Sequence, residues 1–247
     1  MNENTYPDLT RQWTVATWNI NGAAKPNLEQ IASVLRATDS DVIALQEVRW
    51  RQAHKLAKLL NMKVVWRRKH FPYTVALPHL AEGLAILSPH RIKHERRITL
   101  TPNQSINNYK HRTALSAEIK CSAGKMRVVN IHLMPHDLRD EREHEAIFLT
   151  GYLAALSELT TTIVGDFNSS SDENVVPVLC GDQRIDSWPA VRLGEAGHTN
   201  PSANPYQRLD HILIPKDANN LSCVLPFGGD MWAELSDHLP LATTFTL

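Results

Sequence analysis

Short apolar runs alternate with polar positions along this chain, and most of them stop at a block of polar residues. Trp13 to Trp18 reads as a strand with Asn19 at its C-terminal end, and Gly22 and Pro26 mark a loop after it. Asn27 is placed to cap a helix, with Gln30 three residues on and Leu28, Ile31 and Leu35 on one face. Asp41 to Val48 predicts a second strand that delivers Glu47 near its end. Trp50 to Leu60 predicts a helix with Leu56, Leu59 and Leu60 turned inward. Strands then dominate: Leu84 to Ser88, Ile92 to Leu100, Ala114 to Lys120 and Met126 to Leu133. Ser122-Ala123-Gly124 joins the last two as a hairpin. A helix over Arg139 to Leu159 carries Ile147, Leu149, Leu153 and Leu156 as a partly apolar stripe. Thr161 to Gly165, Leu209 to Ile214 and Leu239 to Thr246 complete the strands. Strands neighbouring strands, with few helices between, predict two packed sheets with helices outside.

The polar blocks are Thr17-Trp18-Asn19-Ile20, Leu45-Gln46-Glu47-Val48, Glu82-Gly83-Leu84-Ala85-Ile86-Leu87, Asn130-Ile131-His132-Leu133, Gly165-Asp166-Phe167-Asn168, Arg208-Leu209-Asp210-His211-Ile212 and Ser236-Asp237-His238-Leu239-Pro240. Strands hold side chains rigidly, and their ends meet solvent, which suits groups that do chemistry. Any one block is explained as an ordinary solvent-facing strand end. Together the residue types complement one another. Acid and amide oxygens can hold a hard cation. Two histidines and an arginine can grip a phosphate. An Asp/Asn pair can aim a water. The set points to metal-assisted hydrolysis of a phosphate ester.

The bulk numbers narrow this picture without changing it. A chain of 247 residues that is 43% hydrophobic can bury one sizeable core, or at most two small ones. Formal net charge is zero, so long-range attraction to nucleic acid or an anionic membrane is not built in globally. Local basic stretches run through Arg49, Arg51, Lys55, Lys58, Arg67, Arg68 and Lys69, and from His90 to Arg97. Such runs are usually solvated faces, with substrate contact the sharper reading. Cys121, Cys180 and Cys223 are far apart and odd in number, which excludes a disulfide framework and a CxxC metal site and predicts free thiols. Residues 1–12 are polar, lack a signal-type apolar core and are expected to form a loose extension. No run of about 18 apolar residues occurs, so no membrane span is expected. A cytoplasmic monomer is the default expectation.

On its polar blocks the chain resembles the endonuclease/exonuclease/phosphatase superfamily. That group includes pancreatic-type deoxyribonuclease, abasic-site endonucleases, neutral sphingomyelinases and inositol polyphosphate phosphatases. The match runs from Thr17 to Pro240 and is most specific at Gly165 to Asn168 and Ser236 to Pro240. Gly197-His198-Thr199-Asn200-Pro201, leading to Arg208-Leu209-Asp210, resembles the loop and strand found there. The resemblance implies a single α/β domain over 1–247, a four-layer sandwich of two stacked mixed β-sheets flanked by α-helices. It also implies a divalent metal, usually magnesium (Mg2+) with manganese (Mn2+) as a substitute, and in-line attack of water on phosphorus.

Residue by residue, Asn19 and Glu47 resemble the metal-holding amide and carboxylate, and Asp237 a second metal-side or histidine-orienting acid. Asp166 and Asn168 resemble the pair that orients or deprotonates the water. His132 and His238 resemble the histidines around the scissile phosphate. Asp210 resembles the carboxylate that supports His238. Glu82 is the candidate support for His132, in a block that departs from the deoxyribonuclease pattern by about one position. Arg112 resembles a phosphate-gripping arginine, for which its fixed charge and planar fork are suited. Arg142 reads as structural. Abasic-site endonucleases carry a tyrosine before the central strand and lack a histidine at the position of His132, so the chain sides with the other branches.

The first functional expectation is a nuclease acting on nucleic acid, with Trp66 a candidate for stacking on bases, although tryptophans are more often core. The alternative is a phosphoesterase acting on lipid head groups or small phosphorylated metabolites. Leu225 to Trp232 is then the candidate apolar wedge, with buried packing the competing reading. A non-enzymatic binding module that kept the fold is a third reading. It is disfavoured by the completeness of the acid, amide and histidine set.

Overall fold

Two sheets share one inner core, and each carries helices on its outer face. The computed structural model describes residues 12–69, 80–105, 110–135, 137–156, 159–170 and 173–247. In chain order the first sheet receives β1 (Gln12–Asn19), β2 (Val42–Arg49), β3 (Lys63–Arg68) and β4 (Glu82–Ser88). The second receives β5 (Arg91–Thr99), β6 (Thr113–Cys121), β7 (Gly124–His132), β8 (Thr161–Asp166), β9 (Arg184–Asp186) and β10 (Asp210–Pro215). The chain then returns to the first sheet with β11 (Asn219–Val224) and β12 (Leu241–Thr246). The spatial orders are β11-β12-β1-β2-β4-β3 and β5-β6-β7-β8-β10-β9. Both sheets are mixed: β1 runs parallel to β2, and β7 to β8, while the other pairs are antiparallel.

Helices α1 (Leu28–Ala37) and α2 (Trp50–Leu60) cover the first sheet, packing Ile31, Leu35 and Leu56 against Trp18, Ile43 and Leu45. Asn27 caps α1 by accepting from the backbone N–H groups of Glu29 and Gln30. Helices α3 (Arg139–Ala154) and α4 (Val175–Cys180) cover the second sheet over Val129, Ile131 and Ile163. Between the sheets, Trp13, Val15 and Leu84 meet Leu115, Val128 and Ile212. The result is four layers. Two short helices, α5 (Ser187–Val191) and α6 (Asp230–Ala233), occupy connections. No helix among the described residues is long and apolar enough to cross a membrane.

Several expectations need correction. Helix α3 ends at Ala154, well before Leu159, and Ile147 is 52% exposed. The buried face runs instead through Arg142, Glu145, Ala146, Leu149 and Leu153, because two buried polar side chains find partners there. Strand β3 escapes the pattern because it is an edge strand whose residues are mostly half-buried, so no alternation marks it. Strand β11 is a partly exposed edge of mixed polar and apolar residues, and β9 is three residues long. Trp66 is not presented for stacking: it packs on the first outer core, and its Nε1 donates to Val48 O at 2.8 Å. The expected loose extension falls outside the described residues except for Gln12, which opens β1.

A polar clamp crosses the inner core. Asn130, fully buried on β7, donates through Nδ2 to Leu45 O and Ala85 O, both at 2.9 Å. Its Oδ1 accepts from Gln46 Nε2 at 2.8 Å, and Gln46 also donates to Thr17 Oγ1 at 3.0 Å. The pairing of β2 with β4 breaks register between Leu45 and Val48, a bulge that interrupts the ladder beside those carbonyls. Asn130→Leu would orphan these buried groups, each at a cost of about 1–3 kcal/mol. We expect a loss of at least ~3 kcal/mol, read as a fall of ~6 °C or more in thermal midpoint. A midpoint within a degree of wild type would show that the clamp is dispensable.

Candidate active site

The polar blocks meet at one end of the sandwich because strand registers bring them level. Strand β7 ends at His132 and β8 at Asp166, which pair with each other in parallel register. Strand β10 opens with Asp210 directly opposite Asp166. From the other sheet, β1 ends at Asn19, paired with Gln46. Glu47 follows in the bulge with φ 52°, a left-handed conformation that takes it out of the regular ladder toward the site. Gly165, at φ 140°, has no room for a Cβ, which would lie 2.1 Å from Ile131 O; glycine is therefore required beside Asp166. His238 lies just before β12. Its carbonyl accepts from Trp18 Nε1 at 2.8 Å. Its N–H donates to Ser236 Oγ, which itself donates to Asn19 O at 2.6 Å.

Asp166 is the hub. Its Oδ1 accepts from the backbone N–H of Asn168 at 2.9 Å, and its Oδ2 accepts from Asn19 Nδ2 at 2.9 Å. The same Oδ2 lies 3.6 Å from His132 Nε2 and 3.8 Å from His238 Nε2. Burial pushes the Asp166 carboxyl up to about 6; the Asp210 charge adds to this, while His238 and the hydrogen bonds from Asn19 and Asn168 oppose it. His238 Nδ1 sits 2.7 Å from Asp210 Oδ2. Burial pulls the His238 imidazole down, but Asp210 and Asp166 together lift it to about 10. Thr199 Oγ1 accepts from the N–H groups of Leu209 and Asp210 and so sets the start of β10. Asn168, at φ 50°, donates its amide to Leu133 O at 3.1 Å.

A second group of charges surrounds His132. Its Nε2 is 3.9 Å from Glu47 Oε1, and its Nδ1 is 3.1 Å from Lys69 Nζ. Lys69, which nothing in the sequence singled out from its basic stretch, is 4% exposed. Burial lowers its ammonium to about 8, helped by Arg112 and opposed by Glu47, Glu82 and Asp166. Glu82 is placed by its charge interactions beside Glu47 and Lys69, and burial raises its carboxyl. The partner found on His132 Nδ1 is therefore a cation, where a carboxylate was expected. Arg112 is buried rather than surface-exposed, with its N–H on Thr101 Oγ1. Asp237 is exposed; its Oδ1 lies 3.3 Å from Ser236 Oγ, and its charge helps to raise His238.

The donor set suits a divalent cation. Glu47 and Asn19 bring a carboxylate and an amide oxygen from neighbouring strands. Asp166, Asp210 and His238 offer ligand atoms within 4.8 Å of one another. Among the described residues Asp210 Oδ1 is buried without a hydrogen-bond partner, an oxygen that a cation would satisfy. Hard oxygen donors of this kind suit a hard divalent cation.

The chain matches the Endonuclease/Exonuclease/phosphatase family over residues 16–238, and it belongs to that family. Members are hydrolases acting on phosphoester bonds. A family protein from Leptotrichia buccalis C-1013-b superposes with a TM-score of 0.76 at 18% identity, covering 94% of this chain and 98% of that one. The human Nocturnin catalytic domain, solved with a bound sulfate anion, gives 0.76 at 19% identity over 96% and 93%. The mannosyl-6-phosphatase Bt3783 of Bacteroides thetaiotaomicron VPI-5482 gives 0.74 at 16% identity over 95% and 100%. At these identities the likeness is one of fold. No curated protein sequence matches the chain significantly.

The turn after His132 is held by two buried residues of α3. Arg142 donates to Met134 O and Pro135 O and pairs with Glu173 at 2.8 Å, in a structural role. Glu145 Oε2 accepts from Met134 N at 2.9 Å, while its Oε1 has no hydrogen-bond partner among the described residues. Burial pushes the Glu145 carboxyl up from 4.5 to about 8, against the pull of the Met134 N–H and nearby cations. A raised folded pKa means stability that is full below 4.5 and is lost as pH rises through about 8. Glu145→Gln keeps an acceptor for Met134 and removes the charge. We expect it to raise the thermal midpoint at pH 8 by several degrees and to change it little near pH 4.5. An equal effect at both pH values would refute a buried, protonated carboxyl.

Proposed function

We propose that this family member is a magnesium-dependent phosphodiesterase that hydrolyses nucleic-acid phosphodiester bonds by in-line attack of water. The observation that carries the reading is one buried carboxylate, Asp166, bracketed by the imidazoles of His132 and His238 at 3.6 and 3.8 Å. A carboxylate held by donors from Asn19 and Asn168 is oriented to take a proton from a water. Burial raises the Asp166 carboxyl and makes it a better base than an ordinary aspartate. His238, cationic through Asp210, presents Nε2–H to a phosphate oxygen or to the departing oxygen. The buried Arg112 supplies positive potential for the crowded anionic phosphorus, and His132, with Lys69 behind its Nδ1, offers a hydrogen-bond donor there. Glu47 and Asn19 would hold the metal, with Asp237 as a further acid on that side. When bound, the ion neutralises charge on a non-bridging phosphate oxygen and on the leaving oxygen.

A polyanionic substrate is supported by where the basic stretches fold. Strands β3 and β5 are the edges of the two sheets and lie against each other. Arg68 and Arg97 come close enough there for repulsion to add to burial in lowering the Arg68 pKa. The cationic edge continues through Lys69 to Arg112, beside the site. Local cations of this kind bind a phosphate backbone without any net charge on the whole chain. The free cysteines accord with a reducing, cytoplasmic setting. A second reading, a phosphoesterase for lipid head groups or small phosphorylated metabolites, is favoured by fully exposed Phe227 and 70% exposed Met231 on the segment leading to His238.

Asp166→Ala and His238→Ala are expected to lower turnover by about 100-fold or more while leaving the fold intact. Steady-state rates and circular dichroism check this, and near-wild-type hydrolysis removes the residue from the mechanism. Chelation should abolish activity, and magnesium or manganese should restore it. Nicking of plasmid DNA without turnover of sphingomyelin or inositol polyphosphates separates the first reading from the second.

A further inference from the structure

The two imidazoles that bracket Asp166 are backed by groups of opposite sign. His238 has the Asp210 carboxylate 2.7 Å from Nδ1, so this nitrogen carries hydrogen and donates. His132 has the Lys69 ammonium 3.1 Å from Nδ1. An ammonium has three donors and no acceptor, so Nδ1 of His132 must accept, and the ring hydrogen sits on Nε2. We infer that Lys69 is a positioning residue that holds His132 in the Nε2–H tautomer, so that the ring offers a neutral N–H hydrogen bond to an oxygen of the substrate phosphate.

Lys69 is built into this place. It stands directly after β3, where its backbone N–H donates to Glu82 O at 3.1 Å and fixes the start of the side chain. The ammonium is buried, and Glu47 Oε1 lies 4.0 Å away to balance its charge. His132 Nε2 is directed between Asp166 Oδ2 at 3.6 Å and Glu47 Oε1 at 3.9 Å. Both gaps are longer than a hydrogen bond, and the N–H faces both acids. A phosphate oxygen brought beside Asp166 would meet it. Fixing the tautomer from the far nitrogen is a general way of aiming an imidazole. This inference rests on the reading that the Asp166 centre handles a phosphate, but the tautomer itself does not depend on that reading.

The test is long-range 1H–15N correlation spectroscopy on the full chain, without metal or substrate, with His132 assigned by comparison with His132→Gln. Wild type should show the Nε2–H tautomer. Lys69→Met should move His132 toward a mixture or toward Nδ1–H, and Lys69→Arg, which keeps the donor, should restore the wild-type pattern. An Nδ1–H tautomer in wild type, or an unchanged pattern in Lys69→Met, overturns the inference; the wild-type spectrum decides even if Lys69→Met fails to fold. On whichever phosphoester is turned over, Lys69→Met should lower kcat about tenfold or more with a smaller change in KM, and Lys69→Arg should recover part of the loss. A protein inactive on every phosphoester, yet showing the expected tautomers, would fail the proposed function and leave the Lys69 assignment standing.

Discussion

The arrangement of the site depends on the amide of Asn130. The bulge in β2 interrupts the ladder to β4, and interrupted carbonyls in a dry core must find another donor. Asn130 supplies it from the opposite sheet, to Leu45 and Ala85 at 2.9 Å each, and Gln46 closes the bridge in return. Apolar packing alone would let two sheets slide with little change in buried area. A directional amide between them sets their relative position, and the same bulge that needs the amide gives Glu47 its positive φ. The Asn19–Asp166 hydrogen bond, which also crosses between the sheets at 2.9 Å, depends on that fixed offset.

Around this frame the site distributes charge unequally over similar groups. Three carboxylates, two imidazoles and a lysine lie within a few side-chain lengths, yet no two share the same surroundings. Asp166 is buried and held by neutral donors, Asp210 backs one histidine, and Glu47 stands at the more open side with 26% of its side chain exposed. Environments that push like groups apart are what allow one to act as base and another as acid at a single pH. Membership of the Endonuclease/Exonuclease/phosphatase family accounts for the scaffold, and within it Lys69 pairs with His132.

Much of the fold was legible along the chain. Strands β1, β2, β4, β6, β7 and β8 carry enough buried apolar residues to mark themselves, and Asn27 marks the start of α1. The elements that stayed hidden are β3, β9, β11 and the short helices, where burial is partial or the segment too brief for a period to show. Helix α3 misled because Arg142 and Glu145 lie on its buried face, and a reading by hydropathy turns such residues outward. Asn19, Glu47, His132, Asp166, Asp210 and His238 each stood in a polar block at a strand end, whereas Lys69 was lost in its basic stretch.

By itself, then, the sequence determined which polar groups end which strands, that the core divides between two sheets, and the family to which the chain belongs. Those properties are local, written in side-chain alternation and short motifs. The tertiary structure alone decided which group faces which. Lys69 rather than Glu82 meets His132 Nδ1, Arg112 is buried, Asp237 remains exposed, and Arg67 and Arg68 on β3 come beside the basic strand β5. Such contacts depend on the offset between two stacked sheets and on a bulge that turns one residue, and neither leaves a periodic trace in the chain.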